Sequence, residues 1–176
     1  MDDVHDKWPH RWVSPKVKAK SSAIEGVGAF ATRLINTGEA VAILGGIIIH
    51  KTQLEAYHKT VGDFGIQIDD DFFICPSSKE ELAQTAVFNH SCQPNIGIDE
   101  INPLKLVAMK TIKPGEEIVF DYAMTESICP AFECKCGSTQ CRKIVTPNDW
   151  KSSELQKRYG NHFSPYLRSK FKKTTA

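Results

Sequence analysis

Four of the six cysteines lie within thirteen residues, and this crowding limits what the chain can fold into more than any other feature. Three of them form the pattern C-x-C-x4-C at Cys134, Cys136 and Cys141. The amino-terminal residues lack the basic start and apolar block of a secretion signal, so we expect an intracellular location. Reducing conditions there favour metal binding over disulfides. Because a structural zinc ion takes four ligands, the pattern needs a fourth thiolate, either Cys129 or Cys92.

Composition indicates an ordinary globular domain. The chain has 176 residues, of which 41% are hydrophobic and 24% charged, so it can bury a core of its own. Its 22 basic and 21 acidic residues give a net charge of +1, so charge provides no strong evidence for direct nucleic-acid binding. No apolar run approaches the roughly 20 residues of a membrane helix, and we expect no membrane partner.

The hydrophobic pattern predicts many short strands broken by glycines, which is typical of a mainly β or α+β fold. An irregular arm is expected over residues 1–14, and a basic, frayed tail over 168–176. The predicted strands lie within 17–31, with Gly26 and Gly28 in the turn, and within 39–50, 66–74, 104–109 and 117–122. Helices are predicted over 52–58 with Thr52 as N-cap, over 78–88, and from a cap at Asn148 or Asp149 to about 159.

Two further segments carry polar groups in patterns suited to a binding site. Residues 89–95 read N-H-S-C-Q-P-N, an ordered loop that offers donors and acceptors side by side. Residues 115–122 read G-E-E-I-V-F-D-Y, and this predicted strand ends on Tyr122. Taken separately, the loop could be an ordinary turn and Tyr122 an ordinary half-buried strand residue.

In combination these segments resemble SET-domain protein lysine methyltransferases. The loop matches that family's N-H-S-C-x-P-N motif, residues 115–122 resemble its G-E-E motif with a terminal tyrosine, and the cysteine pattern resembles its post-SET zinc loop. The run G-V-G-A-F-A at 26–31 is similar to its G-x-G-x-x-A element. The resemblance implies a SET (β-clip) fold of several small sheets with a threaded C-terminal segment. It divides the chain into an arm (1–15), a SET domain (16–124), a post-SET zinc loop (125–146) and a C-terminal helical extension with a basic tail (147–176).

The resemblance also implies roles for individual residues. Tyr122 would lie beside the transferred methyl group as the catalytic residue. S-adenosyl-L-methionine would be bound by Gly26, Val27, Gly28, Asn89, His90, Tyr122 and Phe132. The walls of the lysine channel would be Phe64 and Phe120, and Phe120 in place of a tyrosine implies di- or trimethyl product. One structural zinc would be held by Cys92, Cys134, Cys136 and Cys141.

Several alternatives stay open at this point. A non-catalytic zinc-binding interaction module would explain the cysteines, and a cysteine hydrolase would use Cys92 with His90. Phe73 could line the channel, although core packing is the simpler interpretation, and Cys75 is expected to be a buried thiol. The partner would be a protein carrying the target lysine, either a histone or another basic protein.

Overall fold

The computed structural model describes residues 10–62, 64–83 and 87–171. Within these ranges the strands are only two to five residues long. They are β1 (Trp12–Val13), β2 (Val17–Ser21), β3 (Val27–Ala31), β4 (Ala40–Ile43), β5 (Ile47–His50), β6 (Ile66–Gln67), β7 (Phe72–Cys75), β8 (Ile96–Ile98), β9 (Lys105–Ala108), β10 (Glu117–Ile118), β11 (Phe132–Glu133) and β12 (Ile144–Val145). The α-helices are α1 (Leu54–Thr60), α2 (Lys79–Ala83), α3 (Ser153–Tyr159) and α4 (Pro165–Ser169). Turns of 3-10 helix span Lys51–Gln53, Tyr122–Met124, Asp149–Lys151 and Gly160–His162.

The strands form four small antiparallel sheets. Their orders are β1-β4-β9-β8, β10-β3-β2, β5-β7-β6 and β11-β12. The β2–β3 hairpin turns at Gly26, whose φ of +45° lies in the left-handed region that favours glycine. None of the helices in the described ranges is long and apolar enough to cross a bilayer. The predicted fold, mainly β with small sheets and few helices, is confirmed.

One hydrophobic core joins the sheets to the C-terminal helices. Fully buried side chains of β8, β9 and β10 pack with Phe163 and Leu167 from the C-terminal extension. Burying a side chain of this size contributes roughly 1.5–3 kcal/mol. The extension is therefore part of the same core, and its Tyr159 hydroxyl donates to the Cys92 carbonyl in the loop that leads into β8.

The loop at 89–95 lies alongside the segment that follows β10. Phe120 N–H donates to the Asn89 carbonyl at 3.0 Å, and Ser91 N–H donates to the Phe120 carbonyl at 2.9 Å, which makes a parallel contact. The Asn95 side chain adds two bonds at 2.8 Å, to the Glu117 carbonyl and from the Val119 N–H. The threaded C-terminal segment that the family resemblance implies requires this pairing between the loop at 89–95 and the segment after β10.

Three predicted elements differ from the observed ones. The strand predicted over 117–122 ends at Ile118, since the residues after it pair with the loop at 89–95 and then enter a 3-10 turn. Thr52 does not cap its helix; it lies within a 3-10 turn, and the His50 side chain accepts from its N–H. The helix predicted over 78–88 covers Lys79–Ala83, residues 87–88 are not helical, and 84–86 lie outside the described residues.

Further differences lie at the two ends of the chain. Trp12 and Val13 of the predicted arm are paired with β4. Neither Asn148 nor Asp149 caps the final predicted helix; Ser152 caps α3, because its side chain accepts from the Leu155 N–H. Part of the predicted frayed tail is ordered, since Arg168 belongs to α4, and residues 172–176 lie outside the described residues.

Candidate functional site

A cavity of about 560 Å³ lies where the loop at 89–95 meets the segment after β10. This volume falls in the range of roughly 300–1,000 Å³ that is usual for small-molecule sites. The predicted site residues in its lining are Phe64, Asn89, His90, Phe120, Tyr122 and Phe132. Gly26, Val27 and Gly28 are absent from the lining, although the neighbouring Ile24 and Glu25 belong to it. The structure thus gathers most of the predicted cofactor and channel residues around one space.

Tyr122 opens a 3-10 turn at the edge of this cavity. Asp121 caps the turn, because its side chain accepts from the Ala123 N–H at 3.0 Å. The Tyr122 hydroxyl donates to the Phe88 carbonyl at 3.0 Å, and the ring lies 5.2 Å from that of His90. Since the hydroxyl hydrogen is committed to Phe88, the oxygen keeps acceptor capacity for a ligand.

His90 is buried between Tyr122 and the thiol of Cys92. Burial lowers the pKa of His90 to about 4, against the opposing effect of the Asp121 carboxylate. Its Nδ1 accepts from the Tyr122 N–H at 3.3 Å, so the proton of the neutral ring lies on Nε2, which is 3.5 Å from Cys92 Sγ. The parallel pairing uses the peptide groups of Asn89 and Ser91. The N–H and C=O groups of His90 therefore point away from the segment that follows β10.

Asn89 connects the cavity to the β2–β3 turn. Its Nδ2 donates to the Glu25 carbonyl at 3.1 Å and to Glu117 Oε1 at 2.8 Å. Within the described residues its Oδ1 accepts no hydrogen bond, so this oxygen is an acceptor that a ligand can use. The side chain is buried, which makes its hydrogen-bond partners important for stability.

Glu117 is a site residue that sequence reasoning missed. Its carboxylate accepts from Asn89 and from Ser22 Oγ, at 2.8 Å to Oε1 and 3.0 Å to Oε2. A Cβ at position 28 would lie 2.2 Å from Glu117 Oε1 and 2.9 Å from Asn89 Nδ2, so any side chain there would force the Glu117–Asn89 pair to move. The available signal was the second glutamate of the G-E-E motif. Gly28 thus approaches the Glu117–Asn89 pair rather than the cavity itself.

Aromatic rings supply much of the apolar surface. Phe120 is buried and Phe64 half-buried, and both line the cavity. The Phe132 ring lies 5.4 Å from that of His90 and 6.0 Å from that of Tyr122. Phe73 instead packs with Leu54, Tyr57 and Cys75 in a separate cluster, which confirms core packing as its role and Cys75 as a buried thiol.

Four thiols form a compact group next to the cavity. The Sγ atoms of Cys92, Cys134, Cys136 and Cys141 all lie within 4.8 Å of one another. Cys92 and Cys134 are 3.8 Å apart, close to the spacing of about 3.8 Å that two thiolates take on a tetrahedral zinc with bonds near 2.3 Å. Cys129 is outside this group and lines the cavity instead. The four donors fit one structural zinc ion.

Local structure supports this group as a metal site. Strands β11 and β12 pair beside it, and backbone N–H groups point at the sulfurs: Arg142 to Cys92 at 3.3 Å and Lys143 to Cys141 at 3.4 Å. Burial raises the pKa of the Cys92 thiol to about 11, although Arg142 opposes that shift. A bound cation would offset this burial effect, since metal ligation removes the thiol proton.

The arrangement argues against a cysteine hydrolase. His90 and Cys92 do meet, at 3.5 Å, but Cys92 is fully buried and surrounded by three other thiols. A nucleophilic cysteine needs a lowered pKa and access to substrate, whereas burial here raises the pKa. His90 is better placed to hold a metal-bound Cys92 through its Nε2–H.

Sequence comparison identifies the relatives of this chain. Residues 26–123 match the SET domain. The chain is 32% identical over 134 residues to a histone-lysine N-methyltransferase, H3 lysine-4 specific, of Cryptococcus neoformans, covering 69% of this chain and 9% of that protein. It is 31% identical over 134 residues to histone-lysine N-methyltransferase 2B of Homo sapiens, covering 70% and 5%. The chain therefore spans less than a tenth of the length of these two relatives.

Solved structures share the fold. The KRYPTONITE structure in complex with mCHG DNA and SAH aligns with a TM-score of 0.55 at 24% identity, covering 73% of this chain and 28% of that one. The methyltransferase domain of human SETMAR aligns with a TM-score of 0.55 at 19% identity, covering 76% and 58%. At these identities the likeness is evidence for the fold alone.

Proposed function

Because this chain belongs to the SET-domain family, we propose that it transfers a methyl group from S-adenosyl-L-methionine to the side-chain amine of a protein lysine. The observation that carries the proposal is the single cavity in which the Tyr122 hydroxyl, the Asn89 amide and the Phe120 ring meet beside the four-thiol group. The names of the relatives support the same reaction class.

The cavity residues suit the proposed cofactor. Within the part of the chain that the structure describes, Asn89 Oδ1 and the peptide groups of His90 make no hydrogen bond, so they can bind polar groups of the ligand, and Phe132 offers an aromatic face. Gly26, Val27 and Gly28 would contribute through the turn that Asn89 and Glu117 hold in place. When bound, S-adenosyl-L-methionine supplies an electrophilic methyl group on a sulfonium.

The chain's own residues must deliver a neutral amine. A free lysine has a pKa of about 10.4, so only about one in 2,500 is uncharged at pH 7. The aromatic walls at Phe64 and Phe120 disfavour the ammonium form and lower that pKa. Removing water and fixing the direction of approach supply much of the remaining rate enhancement.

Tyr122 orients the amine in this proposal. Its hydroxyl hydrogen is bonded to the Phe88 carbonyl, so the oxygen acts as an acceptor, both for an amine N–H and for weak C–H contacts from the methyl group. An ordinary tyrosine is protonated at neutral pH, which makes it a poor general base. Positioning is therefore the role that we assign to it.

The four-thiol group would hold one structural zinc ion through Cys92, Cys134, Cys136 and Cys141. The metal would connect the loop at 89–95 to the segment that carries Phe132. Both segments line the cavity, so we propose that zinc supports the cofactor wall and takes no part in the reaction itself.

The proposed substrate is a histone or another basic protein. Three carboxylates in the cavity lining, Glu25, Glu126 and Glu133, suit a basic peptide better than the two cations there, Arg11 and Lys135. Phe120 offers no hydroxyl that would hold an ordered water beside the amine, so we propose di- or trimethyl product. The intracellular location and the four domain limits stay predictions, and so does the expectation that the chain carries no strong signal for direct nucleic-acid binding.

The test uses tritium-labelled S-adenosyl-L-methionine with core histones and with a protein extract, followed by peptide mapping. We expect label on lysine side chains, with Tyr122→Phe as the control of strongly reduced activity. A protein that binds the cofactor in calorimetry but labels no extract protein would contradict the proposed reaction. Zinc binding without any cofactor binding would instead favour the interaction module.

A further inference from the structure

Arg142 reaches from the thiol group back to the segment that carries Tyr122. Its Nη1 donates to Asp121 Oδ2 at 2.6 Å and its Nη2 to Oδ1 at 2.8 Å, a bidentate contact. Its Nε donates to Asp149 Oδ2 at 2.7 Å. Its backbone N–H donates to Cys92 Sγ at 3.3 Å. One residue thus contacts the thiol group through its backbone and the residue before Tyr122 through its side chain.

Asp121 accepts the two hydrogen bonds from the Arg142 guanidinium. Its side chain is 0% exposed, and besides Arg142 it accepts from the Ala123 N–H at 3.0 Å and from the Tyr159 hydroxyl at 2.8 Å. Four hydrogen bonds therefore saturate a buried carboxylate that caps the 3-10 turn of Tyr122. Neither Asp121 nor Arg142 belongs to the cavity lining, so direct contact with a ligand does not account for them.

We propose that Arg142 is a positioning residue, which sets the Tyr122 hydroxyl through the Asp121 carboxylate and makes its position depend on the metal-loaded thiol group. The inference rests on the proposed function, since it takes the Tyr122 hydroxyl as the group that orients the lysine amine. A guanidinium fork fixes both oxygens of a carboxylate, whereas a lysine ammonium is a single flexible contact. Arg142→Lys keeps the charge and removes the fork.

A double-mutant cycle separates this role from a merely structural one. We expect Arg142→Lys to lower kcat about tenfold or more while the KM for S-adenosyl-L-methionine changes less than about threefold. In the Tyr122→Phe background the same change should have little further effect, because the hydroxyl that it positions is gone. An equal loss in both backgrounds would overturn the proposal.

Asp99→Asn is the matched control. Asp99 also caps a turn, accepting from the N–H groups of Ile101 and Asn102, and pairs with Lys105, but it is not part of the cavity lining. We expect this variant to keep wild-type kcat.

We also expect Arg142→Lys to retain one zinc per chain. Loss of zinc would overturn the proposal, because Arg142 would then act on the metal alone.

A second readout needs no activity. The chain has four tyrosines, so 3-fluorotyrosine gives few fluorine resonances, and Tyr122→Phe identifies that of Tyr122. We expect its chemical shift to change on zinc removal in the wild type and to be already changed in zinc-loaded Arg142→Lys. An identical Tyr122 resonance in the variant and the wild type would overturn the proposal. Conversely, the expected resonance changes without methyl transfer would contradict the proposed function while leaving this linkage intact.

Discussion

The cavity has two supports, which are built in different ways. On the side of the β2–β3 turn, Glu117 on β10 binds Ser22 and Asn89 beside Gly28 on β3. Strands β3 and β10 are paired by sheet hydrogen bonds, and their residues Ala29, Ala31 and Ile118 belong to the main hydrophobic core. The opposite wall is the cysteine loop, by which we mean the segment that carries Cys134, Cys136 and Cys141. This loop has only the strands β11 and β12, of two residues each, and a small cluster made largely of thiols.

This difference predicts that the wall at the β2–β3 turn is stable without metal, whereas the wall formed by the cysteine loop depends on the proposed zinc ion. A two-stranded ribbon of this length is marginal in water without additional packing or a bound ion. Tyr122 lies between the two walls, since its turn follows β10 and is tied through Asp121 to Arg142 of the cysteine loop. Disrupting each support separately should therefore affect different properties: zinc binding and activity at one wall, and cofactor affinity at the other.

The largest effect should come from the metal-dependent wall. We expect Cys92→Ser to lose the zinc and methyl transfer together, with activity falling more than about 100-fold, because the loop at 89–95 loses its connection to the cysteine loop. Zinc content by atomic absorption and labelled methyl transfer measure the two quantities. Cys129→Ser is the control and should keep both. Zinc loss in Cys129→Ser with zinc retained in Cys92→Ser would reverse the ligand assignment.

The next effect concerns the residue between the walls. Tyr122→Phe removes only the hydroxyl, so we expect turnover to fall roughly 100-fold while cofactor affinity stays within a few-fold. Single-turnover kinetics and calorimetry separate these quantities. Tyr166→Phe, which removes a hydroxyl bonded to Asp70, should leave turnover unchanged. Unchanged turnover in Tyr122→Phe would rule out the positioning role.

A smaller effect is expected at the self-supporting wall. Gly28→Ala forces a Cβ against Glu117 Oε1, so the carboxylate must move away from Asn89 and Ser22. We expect cofactor affinity to fall about tenfold with zinc retained, because a buried polar group loses its partner. Lys20→Ala, at the exposed position opposite Gly28 in the β2–β3 pairing, is the control. Zinc loss in Gly28→Ala would show that the two walls are not independent.

The smallest effect on rate should come from Phe120→Tyr. The added hydroxyl can hold a water beside the amine, in space that a methylated amine needs. We expect the first transfer to persist and the product to shift towards monomethyl-lysine, as mass spectrometry of a long reaction would show. Wild-type enzyme that stops at monomethyl-lysine under saturating cofactor would show that another wall sets the limit.

Sequence reasoning located most of the candidate site. The sequence predicts the segments 89–95 and 115–122 as parts of a binding site, and they lie side by side around one cavity. It did not identify Glu117. The predicted cofactor contacts of Gly26, Val27 and Gly28 stay predictions, and none of these three residues belongs to the cavity lining. Those positions depend on how β3 and β10 align, which residue types alone do not report.

What the sequence by itself determined is local: strands that are short because glycines and turns interrupt the alternation, three thiols on a tight loop, and a tyrosine at the end of an apolar run. The family resemblance implied Cys92 as the fourth ligand, but only the tertiary structure brings its Sγ to those thiols and leaves Cys129 outside them, places Phe73 in a separate cluster, and brings Arg142 to Asp121. Each of these is a contact between segments far apart in the chain. Such contacts are set by strand register and by the pairing of the loop at 89–95 with the segment after β10, which no local pattern encodes.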